Sequence, residues 1–99
     1  MERGGWVYIT SNSDNKVLYT GVTSNLRGRI FDHKDKKYVD SFTAKFNMNK
    51  LVYYKAFFSI EEAIIEKKKI KGGSRKGKIQ RIESMNPDWN ELFSEEMEV

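Results

Sequence analysis

The feature that most restricts this chain is a pair of apolar runs near its start. Trp6-Val-Tyr-Ile-Thr10 and Val17-Leu-Tyr-Thr-Gly-Val-Thr23 are dense in aromatic and β-branched residues, which is strand composition. The polar stretch Asn12-Ser-Asp-Asn-Lys16 between them is turn-like and too short for a crossover connection. The two runs therefore predict an antiparallel hairpin. Alternation then puts Tyr8 on the opposite face from Val7 and Ile9, and puts Tyr19 and Gly21 together on one face of the second strand.

The remaining elements follow from caps and breakers. Ser24 or Asn25 caps a helix running to about Lys36, with Leu26 and Ile30 on its inner stripe. Residues 37–49 are polar and irregular, with Phe42 and Phe46 expected to tuck back onto the core. Leu51-Val-Tyr-Tyr-Lys-Ala-Phe-Phe58 reads as the third strand, and Ser59-Ile-Glu-Glu62 as the capping box of a second helix ending at Gly72-Gly73. A third helix spans about Arg75 to Met85 before Asn86-Pro87 breaks it. Asp88 is expected to cap a short terminal helix carrying Trp89, Leu92 and Phe93. The order β-β-α-β-α-α-α describes an α+β domain with a three-stranded antiparallel sheet over residues 1–93, followed by an acidic tail at 94–99.

Charge distribution narrows the function. The 99-residue chain carries a net +4, but residues 83–99 hold six acids and no lysine or arginine. Residues 1–82 therefore carry a net +10, and eight of the bases fall between Lys67 and Arg81. A basic body with a separate acidic end predicts a polyanion partner, against the plainer alternative of a solvated helix face. The absence of cysteine excludes disulfides and thiolate metal sites. The opening Met-Glu-Arg-Gly-Gly-Trp lacks the apolar stretch of a signal peptide, and no segment approaches membrane-spanning length. These features predict a soluble cytoplasmic protein with no membrane partner.

Two tyrosine-bearing strands, each with its own triplet, precede a helix with an arginine. Val7-Tyr8-Ile9, Tyr19-Thr20-Gly21 and the helix motif from Gly21 to Leu26 with Arg29 and His33 are joined downstream by Leu51-Val-Tyr-Tyr54, Ile70-Lys-Gly-Gly-Ser-Arg75 and Asn86-Pro-Asp-Trp89. In this order the chain resembles the GIY-YIG nuclease family, specifically its small bacterial members, over about residues 5–93. The resemblance implies metal-dependent hydrolysis of a phosphodiester, most often in DNA, with Mg²⁺ or Mn²⁺ as cofactor. It also implies catalytic roles for Tyr8, Tyr19, Arg29 and His33 and a supporting role for Asn86. Two phenols side by side can position a water, and one can take its proton if a cation lowers its pKa. Arg29 would hold phosphoryl oxygens bidentately, and His33, about 40° from it around the helix, would bond the water or shuttle a proton. Gly21 gives room for the following helix or for a phosphate. Lys67, Lys71, Arg75, Lys76 and Lys78 are the candidate nucleic-acid contacts. Taken singly, each of these residues has a plain alternative: core tyrosines, an Arg29–Asp32 surface pair, a structural histidine, and Asn86 as a helix stop.

One position departs from the resemblance. The glutamate implied on the second helix, holding a divalent cation, falls at Lys67, with Glu66 one place earlier. The buried stripe expected from Ile60, Ala63, Ile64 and Ile70 places Lys67 near its centre and Glu66 about 100° away. Either Glu66 reaches the metal through a local bend, or the metal site is lost and Lys67 contacts phosphate directly. These readings define the functional alternatives: a divalent-metal-dependent DNA endonuclease, a catalytically impaired nucleic-acid-binding module, or an interaction domain whose acidic tail occupies a basic face. No separate DNA-reading segment is recognisable, so a protein partner is a candidate source of specificity.

Overall fold

The computed structural model describes residues 4–35, 48 and 50–94. Phe42, Phe46 and the tail residues Glu95, Glu96 and Glu98 lie outside the described residues. The elements are β1 (Gly5–Ser11), β2 (Leu18–Thr23), α1 (Leu26–Asp35), β3 (Lys50–Phe57), α2 (Ile60–Gly72) and α3 (Arg75–Met85). The sheet order is β2-β1-β3, antiparallel throughout, which puts the first strand at the centre. The expected α+β architecture and the hairpin are both present.

Every residue of β1 is buried, because both of its faces are covered. On one face Val7 and Ile9 pack with Val52 and Tyr53 beneath Ala63 and Ile70 of α2 and Ile82 of α3. On the other, Trp6 and Tyr8 pack with Leu51 and with Leu26 and Ile30 of α1. Trp6 meets Tyr54 edge-on, with ring centroids 5.9 Å apart. A strand enclosed on both faces reads as a continuous apolar run, as Trp6 to Ile9 does.

Local chemistry sets the helix starts. Asn25, rather than Ser24, is the cap of α1: its side-chain oxygen accepts the Gly28 amide at 3.1 Å. Ser59 and Ser74 accept the amides of Glu62 and Gly77 at 3.2 and 3.0 Å, opening α2 and α3. The buried stripe of α2 is rotated from the expected one. Ala63 and Ile70 are buried, whereas Ile64 is 36% exposed. The rotation follows from close packing at the helix start, where a Cβ on Gly5 would sit 3.0 Å from Ala63 Cβ and Ile60 Cα. Measured from the Ala63–Ile70 line, Glu66 and Lys67 lie about 50° to opposite sides, so Lys67 flanks the stripe instead of centring it.

The expected terminal helix at Asp88 is not formed. Trp89 takes φ 55°, outside helical conformation, and the segment is held without regular structure against β3. A β-bulge between Ile9 and Thr10 leaves Val52 out of register, and Asn86 Nδ2 donates to its carbonyl at 3.2 Å. The same amide group donates to the Asn90 carbonyl (2.8 Å), and its oxygen accepts the Asn90 amide (2.9 Å). Leu92 then donates to the Leu51 carbonyl at 2.8 Å, and the Leu51 amide donates to Glu91 Oε2 at 2.6 Å. A helix of six residues is marginal in water, and these bonds to the edge of β3 outcompete it. Asn86 thus fastens the C-terminal segment. Replacing it by Ala strands the Val52 carbonyl and the Asn90 amide, and should lower unfolding free energy by about 2 kcal/mol in urea titration; a change below ~0.5 kcal/mol would contradict this account.

Candidate functional site

The site grows from the centre of the sheet outward. Tyr8 stands opposite Gly21 in register, and Tyr19 stands opposite Thr10. A Cβ on Gly21 would overlap Cζ and Oη of Tyr8, so the phenol end of Tyr8 lies across the glycine. Gly21 was expected to admit a helix or a phosphate; the group that fills its space is the neighbouring strand's tyrosine. This places the Tyr8 and Tyr19 ring centroids 6.3 Å apart, tilted at 44°.

Arg29 enters from α1, on the same side of the sheet. It is exposed, while its neighbours Leu26 and Ile30 are fully buried against that face. Its guanidinium is close enough to Tyr8 to oppose the upward displacement of the phenol's pKa. Burial dominates that displacement, and adjacent Tyr19 adds to it, so Tyr8 is pushed far above the ordinary phenol value despite Arg29. At 1% exposure Tyr8 is an uncharged hydrogen-bonding group rather than a resting phenolate. The accessible members of the trio are Tyr19, half-buried, and Arg29, exposed. His33 lies one turn beyond Arg29 on α1, and its side chain is outside the described residues.

The basic residues divide between two tasks. Lys71, at the end of α2, holds its ammonium 5.5 Å above the Tyr19 ring centroid, a cation–π distance. Arg75 donates to the Asn15 carbonyl at 3.2 Å, tying the start of α3 to the β1–β2 turn. Asn15 has φ 61°, a left-handed conformation that asparagine tolerates. Lys76 is exposed, while Lys67 and Lys78 are half-buried. Lys67 makes no ion pair with another described residue.

Glu66 is not brought to the tyrosines. Its side chain is 15% exposed and accepts from Arg81 Nη1 at 3.1 Å. Arg81 also bonds the Tyr53 hydroxyl, offsetting the upward push that burial gives that phenol. Tyr53 pairs with Ile9 and belongs to the cluster under α2 and α3, so this network lies across the sheet from Tyr8 and Tyr19. Among the described residues no group of three His, Asp or Glu side chains could hold a metal ion. Glu66, the carboxylate next to the position where the family's metal ligand is expected, is bonded to Arg81 instead of standing open to a cation. Asn86, placed at the bulge, supports β3 instead of meeting the tyrosines.

Sequence reasoning missed the Glu66–Arg81 pair, whose partners are 15 positions apart. It also missed the groove beside Arg29, lined by Asn25, Arg27, Phe31, Asp32 and Phe93 among others. Phe31 is 51% exposed there, and an apolar residue on a helix gives no sequence signal of exposure.

Two outcomes are expected. Of the five tyrosines, Tyr8 and Tyr53 should ionise later than free phenols in an alkaline absorbance titration, and Tyr8→Phe should remove the latest step. Because the folded state keeps protons that the unfolded chain loses, stability is fully present below about pH 10 and falls as pH rises above it. An unfolding free energy flat through the alkaline range would refute the burial argument. Gly21→Ala should destabilise by about 1–3 kcal/mol, and by less in a Tyr8→Ala background. Equal losses in both backgrounds would deny the Tyr8–Gly21 contact.

A sequence model of the GIY-YIG catalytic domain matches residues 4–93. A UPF0213 protein of Syntrophus aciditrophicus is 36% identical over 83 residues, covering 84% of this chain and 93% of that protein. A UPF0213 protein of Staphylococcus haemolyticus is 38% identical over 82 residues, covering 79% of this chain and 93% of its own length. No solved structure matches significantly. Nucleases of the GIY-YIG family act on nucleic acid and generally use divalent metals. With its sheet, its paired tyrosines and a match spanning nearly its whole length, this chain belongs to the GIY-YIG nuclease family and is related to the bacterial UPF0213 proteins.

Proposed function

We propose that this protein binds DNA on the face carrying Tyr19 and Arg29 and hydrolyses the phosphodiester there. The observation that carries the reading is the convergence of Tyr8, Tyr19 and the Arg29 guanidinium on one side of the sheet. Arg29 holds two phosphoryl oxygens and neutralises the charge that builds as water attacks phosphorus in line. Tyr8, kept neutral by burial, acts by holding Tyr19 in place. The proton of the attacking water passes to His33, or to Tyr19 in its deprotonated form, and the leaving oxygen departs on the opposite side of phosphorus and takes a proton from solvent. Lys76 and Lys78, with Lys67, Lys71 and the rest of the basic run, neutralise neighbouring phosphates. Such a protein would act in the cytoplasm, with a partner protein supplying target choice.

Mg²⁺ or Mn²⁺, expected from the family, has no ligand set among the described residues, and no step is assigned to it. Two features of the second helix favour a second reading, a module that binds nucleic acid without cutting it. Lys67 stands where the family's carboxylate is expected, and Glu66 is committed to Arg81.

Supercoiled and branched DNA incubated with the protein in Mg²⁺, Mn²⁺ or EDTA separates the two. Cleavage is the expected result, falling by about 10²-fold or more in Arg29→Ala. Cleavage that survives Arg29→Ala intact removes Arg29 from the site. Salt-sensitive binding without cutting, together with cutting gained by Lys67→Glu, establishes the second reading.

A further inference from the structure

The helix that lacks a metal-holding carboxylate lines the free edge of β2 with cations. Among the described strands β2 is an outer one, and α2 packs across β1 and β2. The helix starts at Gly5, where Ala63 and Ile60 meet β1, and its last turn reaches Tyr19 through Lys71. It therefore runs in the same sense as β1 and opposite to β2. Lys67 lies one turn before Lys71, about 6 Å back along the axis. Two residues of strand span about 6.7 Å, so Lys67 comes level with Gly21. Around the axis, Lys67 and Lys71 lie about 50° and 90° from the Ala63–Ile70 line on one side, and Glu66 about 50° on the other. Lys71 shows which side this is, because it contacts β2; Glu66 faces Arg81 and Tyr53 instead.

We infer that Lys67 and Lys71 form a phosphate-binding site along the β2 edge, beside Tyr19 and Gly21, that does with two ammonium groups the charge neutralisation a divalent cation would otherwise supply. Nucleic-acid binding by this chain is then independent of divalent metal. The inference rests on the phosphodiester reading above and adds the identity of the cation. An ammonium supplies charge and hydrogen-bond donors to phosphate but no open coordination position, so the site favours binding over metal-assisted bond cleavage. Lys67 is half-buried beside an apolar stripe and is paired with no carboxylate among the described residues, which leaves its charge available to an anion.

The test is fluorescence anisotropy of a labelled DNA duplex across a salt series, in EDTA and then in Mg²⁺ at matched ionic strength. Wild type should bind in EDTA, and Mg²⁺ should not strengthen it. Lys67→Ala and Lys71→Ala should each lower the log–log salt slope by roughly 1. Lys55→Ala, on the far strand β3, should leave the slope unchanged. Alanine is the best helix former, so the α2 variants should keep the wild-type circular dichroism. Binding that requires Mg²⁺, or that is indifferent to both α2 variants, overturns the inference while leaving the phosphodiester reading standing. An equal loss in Lys55→Ala marks diffuse attraction and overturns it too. Absence of DNA binding in both EDTA and Mg²⁺ defeats the phosphodiester reading itself, and this inference with it.

Discussion

The contact between Tyr8 and Gly21 is the constraint on which the site depends. A phenol on a strand buried on both faces needs space, and across the hairpin the missing side chain of Gly21 supplies it. Laying the ring over that glycine brings it beside Tyr19, two residues along β2, and under Arg29 of α1. The same burial decides the chemistry of the phenol. Desolvation outweighs the stabilising guanidinium, so Tyr8 keeps its proton and works by position. In the proposed reaction, proton transfer falls to groups nearer solvent.

The sheet separates two kinds of ionic chemistry. On the face under α2 and α3, Arg81 bonds Glu66 and stands by Tyr53, so Glu66 joins the second helix to its neighbour. On the face under α1, the phenols and Arg29 meet, with Lys71 reaching them around the outer edge of β2. Because no described strand lies beyond β2, Lys71 on the flank of α2 reaches phenols that stand on the opposite face. An interior strand in that position would have walled them off.

The C-terminal segment completes the second face without regular structure of its own. Asn86 reads the carbonyl left free by the bulge, and Glu91 accepts the Leu51 amide while pairing with Lys34 of α1. Lys34 also lies 5.2 Å from the Phe93 ring centroid. Leu92 and Phe93 close over the Tyr8 cluster in consequence. The segment therefore links β3 to the helix that carries Arg29, and its rigidity bears on where the guanidinium stands.

Much of this was written in the chain's local chemistry. The hairpin followed from two apolar runs separated by a polar turn, the helix starts from Asn25, Ser59 and Ser74, and the shared face of Tyr19 and Gly21 from the two-residue period of a strand. The closeness of Tyr8 and Tyr19 needed only the hairpin register. Tertiary structure decided the rest, because it depends on partners far away in sequence. The terminal helix gave way to bonds with β3, some 35 to 40 residues away. The rotation of α2 was set by close packing of Ala63 against Gly5, which sent Glu66 to Arg81 and left Lys71 against the Tyr19 ring. Periodicity fixes which residues of a helix lie together, but the direction that face points is set by the surface it packs against.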